Sequence, residues 1–112
     1  MIRERYIRVP KNRQAMRDYD YGIQSSEQME ELILNDEQYS KLDKLGVFDK
    51  INEKCNIIID DYEEEVLELS EIPIALDVIN QLMENSRCEE LAKLKWIFNQ
   101  AISYGTIVGF DF

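Results

Sequence analysis

The sequence contains no histidine among its 112 residues. Histidine is the common general base near neutral pH and a frequent zinc ligand. Its absence excludes Ser-His-Asp and Cys-His catalysis and every zinc site that uses an imidazole. An enzyme made from these residues would have to work with carboxylates, lysine, tyrosine or an unassisted cysteine.

Cysteine and glycine are also scarce. Cys55 and Cys88 are too far apart in the chain to form the paired ligands of a structural zinc site. In a reducing compartment we expect both to be free thiols that pack as small apolar residues. No glycine-rich loop is available to hold a phosphate, so the sequence predicts no cofactor site. The four glycines are scattered at Gly22, Gly46, Gly105 and Gly109.

Long apolar runs are missing as well. The start, MIRERYIRVP, has no apolar core of the kind a secretory signal needs. No segment approaches the roughly 20 apolar residues of a membrane span. We therefore expect a cytoplasmic protein that does not contact the membrane.

Carboxylates are abundant, and their distribution is uneven. The formal charge is −10, and apolar residues make up 45% of the chain, enough to form the core of one domain over residues 1–112. Residues 1–18 carry six basic and two acidic groups, whereas residues 19–112 carry seven basic and 21 acidic groups. This acidic body disfavours nucleic acid as a direct partner and favours a basic protein, although acidity also serves solubility alone.

The basic start of the chain allows three interpretations. RERYIRVPKNRQAMR could contact nucleic acid with Tyr6 as a stacking group, but one tyrosine is weak support. The arginines could instead pair with the acidic body. They could also line an edge strand and prevent aggregation.

Two segments alternate as β-strands do. In RERYIRVP, Arg5, Ile7 and Val9 lie on one face, and Pro10 ends the strand or places it at an edge. DYDYG at 18–22 has the composition of a turn. The strand TIVGFDF has one strongly apolar face. Its members are Thr106, Val108, Phe110 and Phe112.

Helical spacing predominates elsewhere. SSEQMEELIL is predicted to begin a helix with a capping box of Ser25 and Gln28. NDEQYSKLDKLG and VFDKINEKCN are predicted as two short helices, the first ended by Gly46. Segments 70–85 and 86–105 are predicted as longer helices that begin at serine caps. The buried stripe of the last helix would contain Cys88, Leu91, Leu94, Phe98, Ala101 and Ile102, with Trp96 at its border.

Periodicity does not decide the structure of residues 57–69. A helical stripe through Ile58, Tyr62, Val66 and Leu69 competes with a buried strand at NIII. We expect an extended piece at 57–59 and then a helical or irregular acidic segment. The predicted fold class is α+β, with several helices packed on a small antiparallel sheet that includes the N- and C-terminal strands. A third strand near 57–59, or helical packing, would have to support that sheet.

The run DDYEEEVLELSE could serve metal binding or acid/base chemistry. It lacks the central glycine of an EF-hand loop, and no second acidic cluster is evident to complete a coordination shell. Adjacent exposed carboxylates also lack the separated pKa values that paired catalytic acids need. The pattern therefore favours neither a metal site nor a catalytic site.

The order of segments resembles a known group of proteins. An arginine-bearing strand is followed by IIIDDYEEEVLE, IPIALDVINQLME and a helix that leads into AISYGTIVGFDF. This layout and charge resemble the small acidic immunity proteins of bacterial polymorphic-toxin and contact-dependent growth inhibition systems. The resemblance implies a non-enzymatic cytosolic protein that binds and neutralises a cognate toxin domain, often a basic nuclease.

We predict that a protein partner, a basic toxin domain, contacts one acidic surface. Its predicted members are Asp60, Asp61, Tyr62, Glu63, Glu64, Glu65 and Glu68. An alternative function is a phage-type DNA mimic or regulatory inhibitor, and a third is a carboxylate- or metal-dependent enzyme. The oligomeric state is not predicted.

Overall fold

The computed structural model describes residues 3–112, in which four strands and five α-helices follow one another. The strands are β1 (Arg5–Pro10), β2 (Met29–Leu34), β3 (Glu64–Leu67) and β4 (Val108–Asp111). The α-helices are α1 (Arg13–Asp20), α2 (Asp36–Lys44), α3 (Val47–Cys55), α4 (Ile72–Asn85) and α5 (Glu89–Tyr104). Short 3₁₀ turns occupy Ser26–Gln28 and Leu69–Glu71.

The strands form one antiparallel sheet in the order β2-β1-β4-β3. Strand β1 lies in the interior, where Ile7 is opposite Leu32 on one side and Phe110 on the other. Strand β3 lies at one edge, beside β4. The predicted α+β class, with the N- and C-terminal strands in the sheet, is confirmed.

Helices α2–α5 cover one face of this sheet. Phe110 is fully buried there, and its ring centroid lies 6.0 Å from that of Phe98 in α5. Tyr39 of α2, Phe48 of α3 and Phe112 form a second aromatic group with centroid separations of 5.3–5.6 Å. Edge-to-face and offset contacts of this kind stabilise a core beyond the area they bury.

Several local predictions are confirmed. Helices α2 and α3 lie where they were expected, and Gly46 between them takes the left-handed φ of 76°. Gly105 ends α5 with a φ of 68°. The predicted inward faces of β1 and of the last strand are both buried. Cys55 and Cys88 are free thiols.

Other local predictions are wrong. MEELIL is strand β2, and the Ser25–Gln28 pair closes a 3₁₀ turn before it, with the Ser25 amide donating to Gln28 Oε1 at 2.8 Å. The third strand is Glu64–Leu67, while residues 57–59 have no regular secondary structure and lie outside the sheet. Helix α1 was not predicted. Helices α4 and α5 have Glu71 and Cys88 at their cap positions in place of the expected serines, and Ile102 is exposed.

Candidate partner-binding surface

The acidic segment 60–68 is a turn followed by an edge strand. Asp60 Oδ1 accepts the backbone N–H of Asp61 at 2.8 Å, and the Asp60 carbonyl accepts that of Glu63 at 3.3 Å. Tyr62 takes a left-handed φ of 66° between them. Because the chain turns here and then extends, the carboxylates point in different directions and do not share one helical face.

Asp61 is held inside the fold by arginines of the first strand region. Arg5 donates from Nε and Nη2 to the two carboxylate oxygens of Asp61, both at 2.9 Å, and Arg3 forms a further ion pair with it. Arg5, which is only 7% exposed, also bonds Asp36 at 2.7 Å and stacks on the Tyr39 ring. The Arg5 guanidinium, aided by Arg3, lowers the pKa of Asp61 to about 2 against the opposing effect of burial. Its charge is therefore neutralised within the protein.

Glu65 is also occupied by internal hydrogen bonds. Its Oε1 accepts the backbone N–H of Val66 at 2.8 Å, and its Oε2 accepts that of Ile58 at 2.9 Å. The carboxylate thus joins the 57–59 segment to β3. An edge strand with its amides covered in this way is less open to strand pairing with other chains.

The remaining predicted carboxylates are exposed. None of Asp60, Glu63, Glu64 and Glu68 forms an ion pair with another residue of the described chain. Tyr62 lies among them at 78% exposure, with the Arg3 guanidinium 3.9 Å from its ring centroid. We call this set the acidic edge: Asp60, Tyr62, Glu63, Glu64 and Glu68.

The apolar side chains around the acidic edge differ from the expected stripe. Ile59 is buried and anchors the segment, and Asn52 bonds its backbone N–H and carbonyl at 2.6 and 2.9 Å. Ile58 is 69% exposed and Leu69 is 40% exposed. The apolar stripe expected through Ile58 and Leu69 is therefore not buried.

A charge network that the sequence did not predict lies on the opposite sheet face. Arg8 pairs with Glu31 on β2 and with Asp111 on β4, both at 2.6 Å. The Tyr19 hydroxyl of α1 donates to Asp111 at 3.1 Å. Burial, and to a lesser extent the negative charge of Asp111, raises the pKa of the Tyr19 hydroxyl. The prediction that the first arginines pair with the acidic body is confirmed. The alternative of an edge strand is wrong because β1 is central.

Counting the ion pairs shows where charge remains uncompensated. Within residues 3–112, seven of the 23 carboxylates form salt bridges, and the other 16 do not. Six of those 16 lie within the twelve residues from Asp60 to Glu71. The acidic edge therefore carries a dense negative charge that the fold itself does not neutralise.

Residues 3–112 contain neither a metal-binding cluster nor a membrane-spanning helix. No group of three or more cysteine, aspartate or glutamate side chains there is arranged to hold a metal ion. No helix of that region is long and apolar enough to cross a membrane.

Comparisons with known proteins identify one fold neighbour. No protein-family model and no curated protein matches the chain. Among solved structures, the chain is similar to the "Neisseria DNA mimic protein DMP12", with a TM-score of 0.60 and 14% sequence identity. The match covers 97% of this chain and 98% of that one. At this identity the likeness establishes a shared fold over nearly the whole chain and nothing about the residues of a binding site.

Proposed function

We propose that this protein is a DNA mimic that binds the basic, DNA-contacting surface of a partner protein. The observation that carries the proposal is the acidic edge, where unpaired carboxylates concentrate. The fold neighbour, whose name describes a DNA mimic, supports the same reading. A DNA mimic is the alternative function predicted from the sequence. The acidic edge and the fold neighbour favour it over the predicted immunity function.

The geometry of the acidic edge suits this role. A β-strand rises about 3.4 Å per residue, with successive side chains on opposite faces, so it spreads its charges over a longer distance than a helix does. A helix rises only 1.5 Å per residue. Glu63, Glu64 and Glu68 are spread over roughly 17 Å at the rise of a strand. They are separated by Glu65, whose carboxylate is bonded internally, and by the apolar Val66 and Leu67.

The internal salt bridges make this surface rigid. Arg5 and Asp61 fix the turn from which the acidic edge begins. Preorganised charges lose less conformational entropy when they bind, and complementary charge speeds association. We expect affinity for the partner to fall steeply with salt, as it does for DNA itself.

The immunity reading stays a prediction. A nuclease toxin also presents a basic surface, so the acidic edge would serve that partner through the same chemistry. The two functions differ in the partner, which is a DNA-binding protein in one case and a toxin enzyme in the other.

The test is capture followed by displacement. Immobilised protein is incubated with a nuclease-treated lysate of the producing organism, and the bound proteins are challenged with short duplex DNA. We expect the captured proteins to be basic and to be released by the DNA, because both ligands contact the same surface. Capture that DNA does not displace would contradict the proposal, and a captured enzyme that loses nuclease activity would favour the immunity reading.

Matched charge reversals locate the surface. Asp60→Lys with Glu63→Lys should abolish capture because it reverses two exposed carboxylates of the acidic edge. Asp77→Lys with Glu84→Lys makes the same change in net charge at exposed positions of α4 and should leave capture unchanged. Equal losses in both variants would mean that only net charge matters.

A further inference from the structure

The sheet face opposite the main core is only partly covered. Helix α1 lies across it, held by the Tyr19–Asp111 hydrogen bond. The contact is so close that a Cβ at Gly109 would lie 2.0 Å from the Tyr19 hydroxyl oxygen. Beside α1, towards β3, a groove of about 1030 Å³ remains open.

The two walls of this groove carry opposite charges. The stripe of α1 that lines it contains Arg13, Met16, Arg17 and Asp20, at helical spacing. The facing wall carries Glu64 and Glu68. All four side chains of Arg13, Arg17, Glu64 and Glu68 are exposed, and they form no salt bridge with one another or with any other residue of the 3–112 region.

The floor of the groove is partly apolar. Val66 of β3 and Ile107, just before β4, are half-buried beneath it. At the far end of α1, Tyr21 is 72% exposed. An occupant that covers this floor would have to match a positive wall on one side and a negative wall on the other.

We propose that the occupant is a second copy of this chain. A two-fold axis that runs along the groove, between its walls, places α1 of each copy against the β3 wall of the other. Arg13 and Arg17 of one protomer then face Glu64 and Glu68 of its partner. The two-fold axis repeats the same contacts in the opposite direction. Each α1 also covers the half of the sheet face that the partner's own α1 leaves open. Such a self-complementary patch is the requirement for an isologous dimer.

The net charge of −10 per chain does not prevent this association. Salt screens the repulsion between exposed carboxylates of the two chains. The Debye length at physiological ionic strength is about 8 Å. Carboxylates of the two chains that lie further apart than this are therefore largely screened from one another. The facing Arg and Glu side chains lie within one Debye length, so their attraction persists.

The dimer leaves part of the acidic edge free for the proposed partner. Asp60, Tyr62 and Glu63 do not line the groove, whereas Glu64 and Glu68 do. Because the capture test relies on Asp60 and Glu63, failure of the dimer and failure of DNA mimicry are separate outcomes.

The test is a pair of complementary charge reversals, read by sedimentation equilibrium and light scattering. The first variant carries R13E and R17E, and the second carries E64K and E68K. Wild type is expected to dimerise, and each variant alone to dimerise at least about tenfold more weakly because like charges now face each other. An equal mixture of the two variants should recover the dimer, since both sets of contacts are attractive again.

Three results would overturn the dimer. They are a wild type that stays monomeric at millimolar concentration and physiological ionic strength, variants that dimerise as well as wild type, and a mixture that remains monomeric. Circular dichroism confirms that each variant is folded. D77K with E84K is the control that changes net charge outside the groove and should dimerise at least as strongly as wild type.

Discussion

The bidentate contact between Arg5 and Asp61 makes a quantitative prediction. Asp61→Asn removes the charge while keeping the size of the side chain. The pKa of Asp61 falls from 3.8 to about 2 in the folded protein. At about 1.4 kcal/mol per pH unit, and with a modest reduction for the 29% of the side chain that is exposed, this corresponds to about 2 kcal/mol of stability at neutral pH.

The sign of the pH dependence follows from the lowered pKa. A carboxyl group whose folded pKa is depressed stabilises the protein fully above its unfolded pKa, near pH 4. That stabilisation is lost as the pH falls from about 4 towards 2. The difference in the free energy of unfolding between wild type and Asp61→Asn should therefore be constant from pH 7 down to about pH 5 and should shrink below it. Urea unfolding followed by tryptophan fluorescence at pH 7, 5, 4 and 3 measures this difference.

Asp60→Asn is the matched control. Asp60 is exposed and forms no ion pair with the described residues, and asparagine keeps the oxygen that accepts the Asp61 amide. We expect its effect to stay within about 0.5 kcal/mol. A gap for Asp61→Asn that equals the control, or that does not change between pH 7 and pH 3, would refute the assignment of Asp61 to the fold.

Two further substitutions test the packing. Gly109→Ala should destabilise the protein by about 1–3 kcal/mol because the added methyl group displaces the Tyr19 hydroxyl, and combining it with Tyr19→Ala should cost less than the sum of the two single changes. Additive free energies of unfolding would place Tyr19 elsewhere in solution. Phe110→Ala should cost about 3–5 kcal/mol, since the ring is fully buried between Phe98 and Phe112, and a loss below about 1 kcal/mol in urea unfolding would contradict that packing.

The sequence predicts well those elements whose local and global preferences agree. Helices α2 and α3 combine an Asn35 cap, helical spacing of apolar residues and a glycine stop, and all three signals point to the same boundaries. Phe110 and Phe112 alternate with polar or small residues, and the last strand buries that face. Such segments need no information from distant parts of the chain.

Strand β2 was misassigned because tertiary pairing overrides helix propensity. MEELIL is rich in good helix formers, but all six of its residues pair with β1. Two of its acids find partners from distant segments: Glu31 bonds Arg8 of β1, and Glu30 accepts the Tyr104 hydroxyl of α5 at 3.0 Å. A local pattern contains no trace of those distant partners.

Helix α1 was missed although it carries a local signal. Asn12 accepts the Ala15 amide at 2.8 Å as an N-cap, and Ala15 is the buried contact three positions on. The basic composition of this stretch favours an interpretation based on charge and gives no indication of a helix. An asparagine cap two residues after Pro10 was the signal that could have identified the helix.

The candidate surface was predicted by composition but not by geometry. All seven predicted residues lie in one turn and the strand with its flanks, yet Asp61 and Glu65 make internal bonds. Sequence separation explains why: Arg5 precedes Asp61 by 56 residues, and only the pairing of β1 with β4, and of β4 with β3, brings them together.

Two groups of carboxylates differ in their surroundings, those paired with arginines at the sheet and those exposed at the β3 edge. A chain with 23 carboxylates needs some of them to be neutralised, because a buried carboxylate without a partner is costly. The three arginines of the first strand region supply that neutralisation at the sheet, where Asp61, Asp111 and Glu31 are half-buried. The carboxylates at the β3 edge stay hydrated and need no such partner, so their charge remains available. Reversing edge charges should therefore change binding without unfolding the protein, whereas removing Arg5 should unfold it before binding can be measured.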